Sequence, residues 1–207
     1  MKPIKSLLVF SAIMLAPALA AAQPYYGRAP AYREPGGFHY RANRLTFGIS
    51  FGVGGMHDSG SGLTGCDNCD YNPLAGEIDG HIGGMLNSRL ALLFEAQANI
   101  QTVHSSAVDG DTTVTQSAAM VALQYWLAPI LWIKGGLGFA HLSYDNNTLG
   151  LTDDVASGGA IMGAIGVELL SGRRFAMDLQ GRIIEGEYNS LGDHVTSGTI
   201  GLGFNWY

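Results

Sequence analysis

Three groups of residues in this chain have types and spacings that could do chemistry. His141-Leu-Ser143 sets an imidazole two positions from a hydroxyl, with Asp153 and Asp154 downstream. In an extended segment both side chains share a face. There an imidazole can take a hydroxyl proton while a carboxylate, Asp154 for example, fixes its tautomer. Cys66-Asp-Asn-Cys69 is a C-x-x-C pair, which reads as a redox motif, half of a zinc site or a disulfide. The third group is a set of charges in stretches of alternating character: Glu77, Asp79, His81, Glu95, Lys134, Glu168, Asp178 and Arg182. Enclosed charges must neutralise one another, whereas charges lining a passage stay in water. His57, His104 and His194 lack ligand spacing, so no metal site is expected, and no motif calls for a cofactor.

The elements that position these groups follow from composition. The chain has 207 residues, 30 of them Gly, with 47% hydrophobic and only 14% charged. Gly at about twice average usage disfavours a helical enzyme. A net charge of −6 disfavours a general nucleic-acid binder, since nothing basic would neutralise phosphates. Residues 1–22 carry Lys2 and Lys5, an apolar stretch from Leu7 to Leu15 and a small-residue cleavage site around Ala18 to Ala22. That is the pattern of a cleaved export signal. Its removal leaves nine Lys and Arg against 17 Asp and Glu. No lipoprotein anchor is expected, because no Cys lies near the cleavage site. Export excludes a cytosolic redox role for Cys66 and Cys69, and zinc lacks a second ligand pair. A disulfide pinching a loop is the reading that remains. Residues 23–43 are rich in Tyr, Pro, Gly and Arg and nearly free of aliphatics, which predicts a disordered periplasmic arm.

From Arg44 onward the period is two. Apolar and polar or small residues alternate over 45–53, 74–85, 90–102, 113–126, 131–143, 157–170, 174–187 and 195–206, giving eight strands. Their connections alternate long and short: 56–72, 86–89, 103–112, 127–130, 144–156, 171–173 and 188–194. Long loops at one end and tight turns at the other describe an all-β, antiparallel up-and-down transmembrane barrel spanning 44–207. A soluble sandwich or lipocalin-like barrel would show the same period with its faces exchanged. Two features favour the bilayer. The polar face mixes charges with Gly and Ala, which suits a narrow lumen. Tyr125, Trp126, Trp132, Phe175, Phe204, Trp206 and Tyr207 gather beside the short turns, as an interfacial girdle does.

The chain ends Thr199-Ile-Gly201-Leu-Gly-Phe204-Asn-Trp206-Tyr207. Thr199, Gly201, Phe204 and Trp206 resemble the C-terminal signal by which bacterial outer-membrane barrels are recognised for assembly. Tyr207 is one residue beyond the usual aromatic end. With the export signal and eight strands, residues 44–207 resemble barrels of the outer membrane protein A and opacity-protein type. The resemblance implies the bacterial outer membrane, the barrel-assembly machinery as a partner, and contact with outer-membrane lipids and lipopolysaccharide. His141-x-Ser143 is similar to the His-x-Ser pair of outer-membrane lipid A deacylases, although the downstream acid here is Asp rather than Glu.

Charge is sorted by end. The long loops and outer strand ends hold Asp58, Asp67, Asp70, Asp109, Asp111, Asp145, Asp153, Asp154, Glu185, Glu187 and Asp193, with no Lys or Arg. Arg44, Arg89, Arg173 and Arg174 sit at the short-turn end, with Arg28, Arg33 and Arg41 in the arm. The acidic loops serve solubility, hold divalent cations against lipopolysaccharide phosphates, or meet an extracellular partner. Parity turns Glu77, Asp79, His81, Glu95, Lys134, Glu168, Asp178 and Arg182 into the lumen, where paired charges would form a plug. Height along the strands predicts a Lys134–Glu168 pair low in the lumen. It also sets Arg182 level with Glu77 and Asp79, bridging to them or to Glu95. The resulting expectation is a non-catalytic barrel with a structural or surface-interaction role. The alternatives are a narrow porin-like channel and a hydrolase using His141 and Ser143.

Overall fold

The computed structural model describes residues 41, 44–58, 69–105, 110–146, 151–188 and 193–207. The export signal, the arm up to residue 40 and Cys66 lie outside these, so the signal and disulfide expectations concern residues that are not described. Side chains at 58, 69–73, 103–112, 146, 151–155 and 193 are likewise outside the description.

Eight strands follow one another: β1 (Leu45–Asp58), β2 (Cys69–Met85), β3 (Leu90–Ser105), β4 (Gly110–Trp126), β5 (Leu131–Asn146), β6 (Leu151–Ser171), β7 (Phe175–Tyr188) and β8 (Asp193–Trp206). Each pairs antiparallel with the next, and β1 pairs with β8 from Phe47↔Trp206 to Asp58↔Val195, closing the barrel. Closure leaves no unpaired sheet edge, as a hydrocarbon solvent demands. At the short-turn end the reversals are tight: Leu86 N–H donates to Leu90 O at 2.8 Å, and Gly172 N–H to Phe175 O at 2.9 Å.

The faces are inside out relative to a soluble barrel. Leu137 and Phe139 point outward at 71% and 78% exposure, while Arg182 is buried in the lumen at 3%. In water that arrangement would expose the outward aliphatic rows and enclose the luminal charges, whereas a bilayer rewards it. Among the described residues no helix is long and apolar enough to cross a membrane. The lumen is narrow enough that inward glycines face bulky partners. A Cβ on Gly166 would lie 2.2 Å from the Trp132 ring, and one on Gly203 would lie 2.2 Å from Asp178 Oδ1. The high Gly content therefore makes room for luminal side chains.

Two differences from the sequence reading have physical causes. The strands extend beyond the apolar alternation at the outer end: β2 starts at Cys69 rather than 74, and β6 at Leu151 rather than 157. Ladder hydrogen bonds continue wherever two extended backbones run together, whereas alternation records only the part facing apolar solvent. The register of β6 against β7 also shifts between Glu168 and Leu170, so Leu169 and Leu170 are both exposed. Such a bulge breaks the two-residue period that sequence parity relies on.

Candidate functional site in the lumen

The inward residues of the eight strands build three levels of polar contact. At the short-turn mouth, Arg41 reaches Glu168 with a two-pronged contact: Nη1 to Oε1 at 2.7 Å and Nη2 to Oε2 at 2.9 Å. Arg41 Nη2 also donates to Ser171 Oγ and Gly172 O, each at 3.2 Å. Trp126 Nε1 donates to Glu168 Oε1 at 2.8 Å, and the Ser171 hydroxyl donates to Oε2. The guanidinium lies 4.0 Å from the Tyr207 ring centroid and 5.7 Å from that of Trp126. Burial works against the Arg41 charge, but the Glu168 carboxylate outweighs it and holds the pKa above its ordinary value. Burial raises the Tyr207 phenol as well.

In the middle level Arg182 Nη1 lies 3.0 Å from Asp79 Oδ2, 3.1 Å from Glu77 Oε1 and 2.7 Å from Gln97 Oε1. Its Nη2 is 4.0 Å from Glu95 Oε1. Lys134 Nζ donates to Glu95 Oε1, with its ammonium 5.2 Å from the Trp132 ring centroid. Ser50 Oγ donates to Asp79 Oδ1 at 3.1 Å, the Thr199 hydroxyl to Glu77 Oε2, and Asn205 Nδ2 to Asp178 Oδ2 at 2.7 Å. Several buried atoms here have no hydrogen-bond partner: His81 Nδ1, Glu77 Oε1, Asp79 Oδ2, Glu95 Oε2, Asp178 Oδ1 and Arg182 Nε. Toward the outer end the contacts turn neutral. Gln116 Nε2 donates to Tyr188 Oη and Val195 O, each at 3.2 Å, among buried Val114, Leu142 and Ile184.

Lys134 and Glu168 are not partners. Lys134 pairs with Glu95, and Arg41 takes Glu168. The sequence reading assigned Arg41 to the arm, yet it is buried in the barrel mouth. A signal for it existed: parity sends five carboxylates inward against only Lys134 and Arg182, so a third cation was owed. Trp126 and Trp132 are buried in the lumen, and Tyr207 turns over Arg41, so these three do not belong to an interfacial girdle. Trp206 does face outward, its ring 5.4 Å from that of Phe47 and 5.5 Å from that of Phe175. In the C-terminal segment 199–207, Thr199 is inward and buried and Phe204 is half-buried on the outer face.

His141 and Ser143 lie on the outer face of β5. His141 Nδ1 is 2.9 Å from Ser157 Oγ, the residue across the ladder, while Ser143 stands opposite Asp154. The hydroxyl brought to the imidazole by strand pairing is thus Ser157, where sequence proximity suggests Ser143. The cause is that cross-strand neighbours sit closer than residues two apart on one strand.

No protein-family model and no curated protein matches the sequence. Among solved structures, the chain is similar to Ail, the attachment invasion locus protein of Yersinia pestis, in its complex with the heparin analogue sucrose octasulfate. The TM-score is 0.53 at 12% identity, covering 78% of this chain and 99% of that one. Neisserial surface protein A gives a TM-score of 0.51 at 11% identity, covering 78% and 95%. These neighbours are eight-stranded outer-membrane β-barrels, and the chain has their fold.

Proposed function

We propose that this chain is a non-catalytic barrel of the bacterial outer membrane whose closed lumen holds a rigid frame for acidic outer loops. The observation that carries the reading is luminal burial. Glu95, Asp79, Arg182, Lys134 and Glu168 are each 5% exposed or less. A water-filled passage would leave such side chains accessible, so their burial supports a plug over a pore. The outside-facing surface then carries the activity. It is acidic and has no Lys or Arg in its loops, so it favours divalent cations, lipopolysaccharide bridged through them, or a basic partner. The sulfated ligand in the Ail complex is a polyanion, which these loops would repel. The arm, the export signal and recognition by the assembly machinery through Phe204 and Trp206 belong to the same reading.

Planar-bilayer recording of refolded mature protein tests the closed lumen. Silence at voltages where a porin conducts is the expected result. Stable single-channel steps would replace the plug with the channel reading.

A further inference from the structure

Charge does not balance in and around the middle level of the lumen. Among the described luminal residues five carboxyl groups, Glu77, Asp79, Glu95, Glu168 and Asp178, face three cations, Arg41, Lys134 and Arg182. Two uncompensated charges in a low-dielectric interior are costly.

The same level holds a set of donors with the geometry to accept a compensating ion. Asp79, His81 and Glu95 each offer one ligand atom, and these atoms lie within 4.8 Å of one another. The strand ladder builds the set: His81 and Glu95 are direct cross-strand partners on β2 and β3, and Asp79 is two residues from His81 on the same face. Both carboxylates divide their oxygens. Asp79 Oδ2 faces Arg182 at 3.0 Å, while Oδ1 lies 3.7 Å from His81 Nδ1. Glu95 Oε1 takes Lys134, leaving Oε2 buried with no hydrogen-bond partner. His81 Nδ1 is also buried without one, on a side chain only 7% exposed. Room for the ring is reserved by Gly48, where a Cβ would lie 2.6 Å from His81 Nε2.

We propose that Asp79, His81 and Glu95 form a luminal site for one divalent transition-metal ion, with Zn²⁺ the best fit. One imidazole and two carboxylates suit Zn²⁺ better than Ca²⁺ or Mg²⁺, which prefer all-oxygen sets. A charge of +2 offsets that surplus. Each of the two carboxylate ligands keeps its existing cation on the other oxygen, so Lys134 and Arg182 act as the outer support of Glu95 and Asp79. The ligand side chains are buried, so the ion is best supplied while the barrel forms. The inference holds whether or not the lumen conducts.

The test is refolding of the full mature chain in detergent with ZnCl₂, followed by dialysis and competition with a chromophoric chelator. One tightly held Zn²⁺ per chain is expected. His81→Gln should weaken it by about 100-fold, since loss even of a residue that only supports a ligand costs roughly 10–100-fold, while His57→Gln and His194→Gln, both at the outer end, leave it unchanged. Absence of bound Zn²⁺ overturns the proposal, as does binding that survives His81→Gln or disappears with either outer-end histidine. Should His81→Gln fail to fold, Co²⁺ refolded into the unaltered chain gives the same answer. Paramagnetically shifted His81 ring signals support the site, and unshifted ones exclude it.

Discussion

Two levels of the lumen each bury an arginine against carboxylates, and they are built on opposite terms. At the mouth, one guanidinium meets one carboxylate along parallel hydrogen bonds, and Trp126 and Ser171 supply Glu168 with further donors. In the middle, one guanidinium serves three carboxylates, and its own Nε and Nη2 have no hydrogen-bond partner. A satisfied pair specifies and rigidifies structure, whereas a partly satisfied network is a place where a fold gives up stability for something else. The mouth reads as a fastening. The middle reads as a seat for a ligand.

Breaking the middle level from its cationic side should have the largest effect. Arg182→Met leaves Glu77, Asp79 and Glu95 facing one another with only Lys134 nearby. Unfolding by urea in bilayers should show a loss of about 5 kcal/mol. At the mouth, Glu168→Gln strands one buried guanidinium, and a loss of about 3 kcal/mol is expected. Arg41→Met combined with Glu168→Met should recover more than half of it, because the aromatic surroundings accept apolar side chains. An equal response of the two levels to paired apolar replacement would erase the distinction drawn between them.

Gly203→Ala sharpens the contrast at smaller scale. Its methyl meets Asp178 Oδ1 at 2.2 Å, which predicts a loss of about 1–3 kcal/mol by the same assay. Gly163→Ala, with nothing within 4 Å of the new methyl on the outer face, should be close to neutral. The smallest effect concerns pH. Tyr207 has a folded-state pKa above its unfolded one. Stability from its protonated form is complete below the unfolded value near 10 and falls as pH rises through the folded one. Alkaline unfolding should therefore begin later in Tyr207→Phe than in the parent chain.

How much of this was legible beforehand differs between wall and lumen. The wall follows from a solvent that rewards any apolar residue at alternate positions, so Phe139, Ile161 and Ile200 announced it individually. The inward set was legible for the same reason, since parity gives a face. Partnership was not. Lys134 chose Glu95 over Glu168 because pairing depends on strand tilt and stagger around a closed barrel, which one strand's height count does not contain. Trp126 and Trp132 were misread because an aromatic near a turn suits a lipid interface and a luminal plug equally well, and only parity separates them. Arg41 was hidden by neighbours of disordered composition.

That last residue has a consequence in time. Arg41 and Glu168 are 127 positions apart, and Tyr207, which covers the guanidinium, follows the last strand. Closing a loop of that length costs entropy before any contact repays it, so the clasp is expected to form late, outside the folding nucleus. Interactions absent from the transition state slow the exit from the native state without speeding the approach to it. Removing the clasp should therefore shorten the lifetime of the finished barrel and leave the rate of insertion unchanged, which unfolding and insertion kinetics of the Arg41→Met, Glu168→Met double variant would show.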